Sequence, residues 1–101
     1  MMYTSFDDFF TVLGSKQRVK ILQFLNREGP KSVSDIGSRL KIEQSAVSHD
    51  MKRLLSCHFV SVQRNGKERI YEINKETIQP LFNLIRKHVE TYCVKGCEHW
   101  E

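Results

Sequence analysis

Apolar residues recur every three or four positions along most of the chain, and every second position in one segment. The first spacing predicts amphipathic helices, because side chains three and four residues apart share one helix face. It places helices at about residues 4–13, 16–28, 33–40, 44–57 and 75–93. Between the last two, FVSVQR and ERIYEI alternate apolar and polar residues, which predicts two strands. The Asn65-Gly66 pair that separates them is a strong hairpin signal.

Capping residues stand where these helices are expected to begin and end. Ser15 can cap the second helix, and Gly29-Pro30 can stop it. Ser32 with Asp35 three residues later resembles a capping box, with Asp in place of Glu or Gln. Asn74 can cap one turn before the long last helix. The local signals therefore agree with the periodicity.

This order of elements predicts a mainly α fold with a small β-hairpin. Two short helices joined by a tight turn and followed by a hairpin form a winged helix-turn-helix, in the order α-α-α-α-β-β-α. The length fits one domain, so residues 1–101 are expected to form a single unit.

The fourth predicted helix separates its polar and apolar residues. Its apolar side is expected to face the core. Five polar residues fall within an arc of about 140° at 100° per residue, and no carboxylate lies in that arc. This polar face consists of Gln44, Ser45, Ser48, His49 and Lys52. In a helix-turn-helix the second helix enters the DNA major groove, so these side chains are candidate base contacts. The alternative is an ordinary solvated helix face.

The predicted hairpin carries cations on both sides of its turn. Arg64, Lys67 and Arg69 are expected to meet phosphates or to reach the minor groove. Alternatively, they are edge-strand charges that limit aggregation. Lys16 and Arg18 at the start of the second helix could also touch phosphates.

Charge is concentrated in the middle of the chain, which has a net charge of +4. Residues 15–74 hold twelve Lys and Arg against six Asp and Glu, whereas residues 75–101 hold four of each. A basic centre suits a polyanion-binding surface. Double-stranded DNA is therefore the expected partner, although a solvated basic face would have the same composition.

Several protein classes lack support in the sequence. There is no apolar run of 18 residues, the first ten residues carry acids where a signal peptide has bases, and three cysteines argue against a disulfide framework. A cytoplasmic protein is therefore expected. Neither a Gly-rich phosphate loop nor a nucleophile–base motif indicates an enzyme. A winged helix that contacts protein or RNA, without a sensing role, remains an alternative.

The first and last helices carry an apolar stripe that belongs either to the core or to a subunit interface. A winged helix of this size hardly needs a 19-residue final helix for its own core, so a two-fold homodimer is expected through residues 1–13 and 75–94. The candidate interface residues are Phe6, Phe9, Phe10, Leu81, Phe82, Ile85, Val89 and Tyr92.

Residues 93–101 form a tail rich in Cys and His. Cys93, Cys97 and His99 lie within seven residues, and His88 precedes them. Thiolate and imidazole suit Zn(II) or another soft ion, and two nearby thiols suit a redox switch. A frayed tail with incidental cysteines is the alternative.

Four segments resemble the ArsR/SmtB family of winged helix-turn-helix transcriptional regulators. They are LGSKQRVKILQFL, IEQSAVSHDMKRL, RNGKERIYEIN and PLFNLI. The resemblance implies a DNA-binding homodimer joined by its first and last helices. It also implies a repressor that responds to a metal or another signal.

The chain departs from the family pattern at three places. Asp50 stands where the family commonly has His on the recognition helix, and helical geometry turns it away from the polar face. His58 follows that helix where Gly is common, at a cap that often needs positive φ. The family's usual metal motifs are absent from KSVSDIG and NKETIQ. The resemblance thus implies a regulator and leaves its signal open.

Overall fold

A computed structural model describes residues 2–93, and within that range the predicted winged helix-turn-helix is confirmed. Its helices and strands have the following bounds: α1 Met2–Leu13, α2 Lys16–Glu28, β1 Lys31–Ser32, α3 Val33–Leu40, α4 Gln44–Ser56, β2 Val60–Asn65, β3 Glu68–Ile73 and α5 Ile78–Tyr92. None of the helices in the described part is long and apolar enough to cross a membrane.

The strands form one antiparallel sheet in the order β1-β3-β2. β1 was not predicted, because two residues are too short to show a period. In the hairpin, Asn65 pairs with Glu68, so Gly66 and Lys67 form a two-residue turn. Gly66 has φ 66°, the left-handed region that glycine enters without strain.

The predicted caps are largely confirmed. Ser15 Oγ accepts a hydrogen bond from the Arg18 N–H at 3.2 Å, and Ser32 Oγ accepts one from the Asp35 N–H at 3.1 Å. Asn74 Oδ1 accepts from two backbone N–H groups just before α5. The helix itself begins only at Ile78 and has 15 residues, so the expected 19-residue helix was too long.

The turn between α3 and α4 is tight because Gly37 lies under it. The Gly37 carbonyl accepts hydrogen bonds from the N–H groups of Lys41 and Ile42. A Cβ at position 37 would lie 2.8 Å from the Ile42 carbonyl oxygen, too close for any side chain. After α4, His58 has φ 60°, as the sequence predicted for this cap.

The core lies between α2, α3, α4 and the sheet, with one end of α5 packed on it. The buried apolar residues are Val12, Ile21, Leu22, Phe24, Leu25, Ile36, Val47, Met51, Leu54, Phe59, Val60, Tyr71, Ile73, Ile78 and Phe82. Phe82 was predicted at the subunit interface, and this is corrected: its side chain is 7% exposed and belongs to the core of its own chain.

Candidate nucleic-acid interface

The polar face of α4 points into solvent because the opposite side of the helix is anchored. Val47, Met51 and Leu54 are completely buried. Their burial fixes the rotation of the helix, since apolar residues at this spacing share one side. All five residues of the polar face are exposed, as required for contact with a macromolecule.

Asp50, the one acidic residue of α4, faces α2 instead. Its carboxylate accepts a hydrogen bond from Gln17 Nε2 at 2.7 Å and lies 3.5 Å from the Arg18 guanidinium. Because a buried carboxylate needs such partners, these contacts explain why an acid is tolerated here. They also keep its charge away from the polar face, as the helical geometry predicted.

The Arg18 side chain forms its hydrogen bonds and its ion pair with groups of its own chain. Its Nε and Nη2 atoms donate to the carbonyls of Val12 and Thr11, at 2.9 and 3.2 Å, in the last turn of α1. The phosphate contact expected for Arg18 is therefore not supported, although Lys16 is exposed. Arg18 joins the end of α1 to Asp50 on α4.

Gln44 is held by a hydrogen bond between the two helices of the motif. Its Nε2 donates to Ser34 Oγ of α3 at 2.7 Å. A second contact lies at the start of α4, where Ser45 Oγ donates to Glu43 Oε1 at 3.2 Å. Sequence reasoning missed both Ser34 and Glu43, because a pattern along one helix does not show contacts with residues outside it.

The hairpin brings two arginines opposite each other. Arg64 pairs directly with Arg69 across β2 and β3, and both are exposed. Neither side chain takes part in an ion pair within residues 2–93. Like charges directly across an antiparallel pair repel each other. Together with the exposed Lys67 at the turn, they form a cationic tip suited to an anion such as phosphate.

A continuous stretch of α5 is exposed although it carries large apolar side chains. Every residue from Asn83 to Tyr92 is exposed, including Leu84 at 64%, Ile85 at 40% and Tyr92 at 74%. Leu84 was missed by the sequence analysis, although it lies three residues after Leu81. Large apolar side chains on the exposed side of a helix are typical of a surface that contacts another protein.

The exposed aromatic residues of α1 add to this apolar surface. Phe6 and Phe10 are 71% and 62% exposed, and their rings meet edge to face at 6.2 Å. Phe9 is more buried than these two residues and contacts Phe59 of the core, with ring centroids 4.9 Å apart. Phe6 and Phe10 therefore fit an interface better than Phe9 does.

Only part of the predicted Cys/His cluster falls in the described range. Cys97 and His99 lie outside it, Cys93 is half-buried at the end of α5, and His88 is exposed beside the Tyr92 ring. Residues 2–93 alone contain no group of three side chains that could hold a metal ion.

Comparison with known proteins finds a family model that matches the helix-turn-helix segment. The model of "Bacterial regulatory protein, arsR family" matches residues 15–62, which span α2, α3, α4 and the first residues of β2. A transcriptional repressor SmtB homolog from Synechocystis is 26% identical over 82% of this chain. An arsenical resistance operon repressor from Staphylococcus xylosus is 29% identical over 75% of it. The chain spans 62% and 72% of the lengths of these two relatives.

The fold is also that of a solved structure. The homodimeric winged helix-turn-helix DNA-binding domain of Mb0332 from Mycobacterium bovis matches with a TM-score of 0.83 and 22% identity, over 99% of this chain and 88% of that one. The helix-turn-helix segment of this chain is therefore similar to the ArsR family of regulatory proteins, and the described residues have the winged helix-turn-helix fold.

Proposed function

We propose that the protein is a homodimeric, sequence-specific DNA-binding transcriptional regulator, and specifically a repressor. The observation that carries this proposal is the exposed polar face of α4, from which the helix's own acid, Asp50, is turned away. Such a surface can approach the negatively charged groove and offer hydrogen bonds to base edges. The cationic tip of the hairpin would contact the backbone or the minor groove beside it.

The exposed apolar surfaces of α1 and α5 support the dimer. A two-fold contact between these helices would cover Phe6, Phe10, Leu84, Ile85 and Tyr92 in both subunits. It would also present two copies of α4. If these lie about one DNA turn apart, roughly 34 Å, the dimer reads an inverted repeat.

Base contacts and phosphate contacts are expected to respond differently to substitution. Gln44→Ala should lower affinity for the preferred site by about 1–3 kcal/mol and lower the ratio of preferred to scrambled DNA, because the amide can pair with a base edge. Arg64→Ala and Lys67→Ala should weaken all sequences alike and flatten the salt slope by about one unit each. Fluorescence anisotropy with labelled duplexes at several salt concentrations measures both quantities.

Lys75→Ala is the matched control, since Lys75 follows β3 at the end away from the hairpin turn. It should leave both the ratio and the salt slope unchanged. The preferred site is obtained by selecting bound fragments from the source genome. If Gln44→Ala kept the wild-type ratio, α4 would not be the base-reading helix. If no duplex bound in a salt-dependent way, a protein- or RNA-contacting winged helix would be the better account.

A metal or thiol signal at the tail is a second proposal, supported by the similarity to an arsenical resistance operon repressor. Zn(II) or another soft ion would use Cys93, Cys97 and His99, with His88 as a further donor. Because these residues follow α5, a bond formed there could change how the subunits sit. To regulate DNA binding, the signal must bind two arrangements unequally.

Reduced wild-type protein titrated with Zn(II), or treated with a thiol oxidant, is expected to change its DNA affinity at least tenfold, about 1.4 kcal/mol of coupling. Cys93→Ser/Cys97→Ser should respond to neither. Ser61→Ala, on the exposed side of β2, keeps the tail and should respond like the wild type. If neither treatment moves the wild-type affinity, the tail is not the sensor.

A further inference from the structure

The carboxylate of Glu43 lies beside the polar face of α4, where helical periodicity places no acid. Glu43 is the residue before the helix, with extended backbone angles of φ −58° and ψ 139°. Its Oε1 accepts the hydrogen bond from Ser45 Oγ at 3.2 Å, and both side chains are exposed. One negative charge therefore lies next to the N-terminal end of the polar face.

Helix capping does not explain why Glu43 stands at the start of α4. At α2 and α3, serine side chains cap the helix by accepting a hydrogen bond from a backbone N–H. Glu43 makes no such bond, and within residues 2–93 it forms no ion pair. The favourable interaction of an acid with the helix dipole is modest for an exposed side chain.

A carboxylate at a DNA-facing surface has a specific electrostatic consequence. It is repelled by the phosphates of every sequence, so on most DNA it weakens binding. It contributes favourably only where a base edge donates a hydrogen bond to it. In the major groove, the N4 amino group of cytosine is the donor that pairs with Glu.

We propose that Glu43 is a specificity-determining residue that accepts a hydrogen bond from a cytosine N4 amino group in each half-site. This inference rests on the proposed function, because it requires α4 to lie in the major groove. The base contact is made by Glu43, while Ser45 is a positioning residue that orients the carboxylate in the free protein. Such preorganisation reduces the conformational entropy lost on binding.

The test uses the duplex selected from random DNA by the wild-type protein. Each cytosine of a half-site is replaced singly by 2-pyrimidinone, which lacks only the N4 amino group. At one cytosine the wild type is expected to lose about tenfold in affinity, whereas Glu43→Ala, which has no acceptor at this position, should lose less than twofold. Glu43→Gln should also bind scrambled DNA more tightly than the wild type. Ser45→Ala should show an intermediate loss at the same cytosine.

Three outcomes would overturn the inference. One is that Glu43→Ala selects the same sequence with the same ratio of preferred to scrambled affinity. Another is that it loses affinity evenly on all duplexes together with a lower melting temperature, which would indicate a purely structural role. If the wild type has no sequence preference at all, the proposed function fails as well. A preference that persists unchanged in Glu43→Ala removes only the role of Glu43.

Discussion

Leu84→Glu is expected to convert the proposed dimer into a monomer at micromolar concentration. Leu84 is 64% exposed on the solvent-facing stretch of α5, so the substitution should leave the fold of each chain intact. In a two-fold interface it would bury one carboxylate in each subunit, and burial of an unpaired charge costs several kcal/mol. The dissociation constant should rise roughly a thousandfold, about 4 kcal/mol. Sedimentation equilibrium measures the change directly.

Affinity for an inverted repeat should fall together with the dimer, because a single half-site contact replaces two. Gln23→Glu introduces the same charge on the exposed surface of α2 and should leave the dimer unchanged. If Leu84→Glu sedimented as the wild-type dimer, the subunits would have to meet through a different surface.

Asp50→Ala is expected to lower the free energy of unfolding by about 3 kcal/mol, because it leaves a largely buried guanidinium without its carboxylate partner. The side chains of Arg18 and Asp50 are 17% and 9% exposed, so solvent compensates little of the loss. The hydrogen bond from Gln17 is lost as well. Urea denaturation at one fixed protein concentration is the suitable measurement, because the stability of a dimer depends on concentration.

Glu76→Ala removes an exposed acid and should change the unfolding free energy by less than about 0.5 kcal/mol. The double variant Arg18→Met/Asp50→Leu should lose less than the two single substitutions combined, since contacting residues are not additive. If Asp50→Ala lowered the free energy of unfolding as little as Glu76→Ala does, the contact with Arg18 would contribute little to stability.

The elements were predictable because each has several residues in a regular pattern. The caps at Ser15 and Ser32, the hairpin at Gly66 and the polar face of α4 all depend on local chemistry. The direction of Asp50 was also predictable from helical geometry. Its partners Gln17 and Arg18 were not, because they lie more than thirty residues away in the chain.

The candidate site was predictable in part. Periodicity identifies an apolar face but not how much of it the chain covers by itself, which is why Phe82 was assigned to an interface while Leu84 was overlooked. The charge of Glu43 was missed because the residue before a helix does not follow its 100° rotation. β1 was not predicted because a two-residue strand forms through its pairing with β3 and has no sequence pattern of its own.

The facing arginines of the hairpin have a thermodynamic consequence. Their repulsion opposes the register that pairs Arg64 with Arg69, so the hairpin tip is less stable than its hydrogen bonds alone would make it. An anion that binds between the two guanidinium groups removes this repulsion and stabilises the paired strands. Because such linkage is reciprocal, whatever orders the tip raises its affinity for the anion by the same factor. The pairing of the two strands at the tip and the binding of an anion there are thus thermodynamically coupled, so a change in one produces a change in the other.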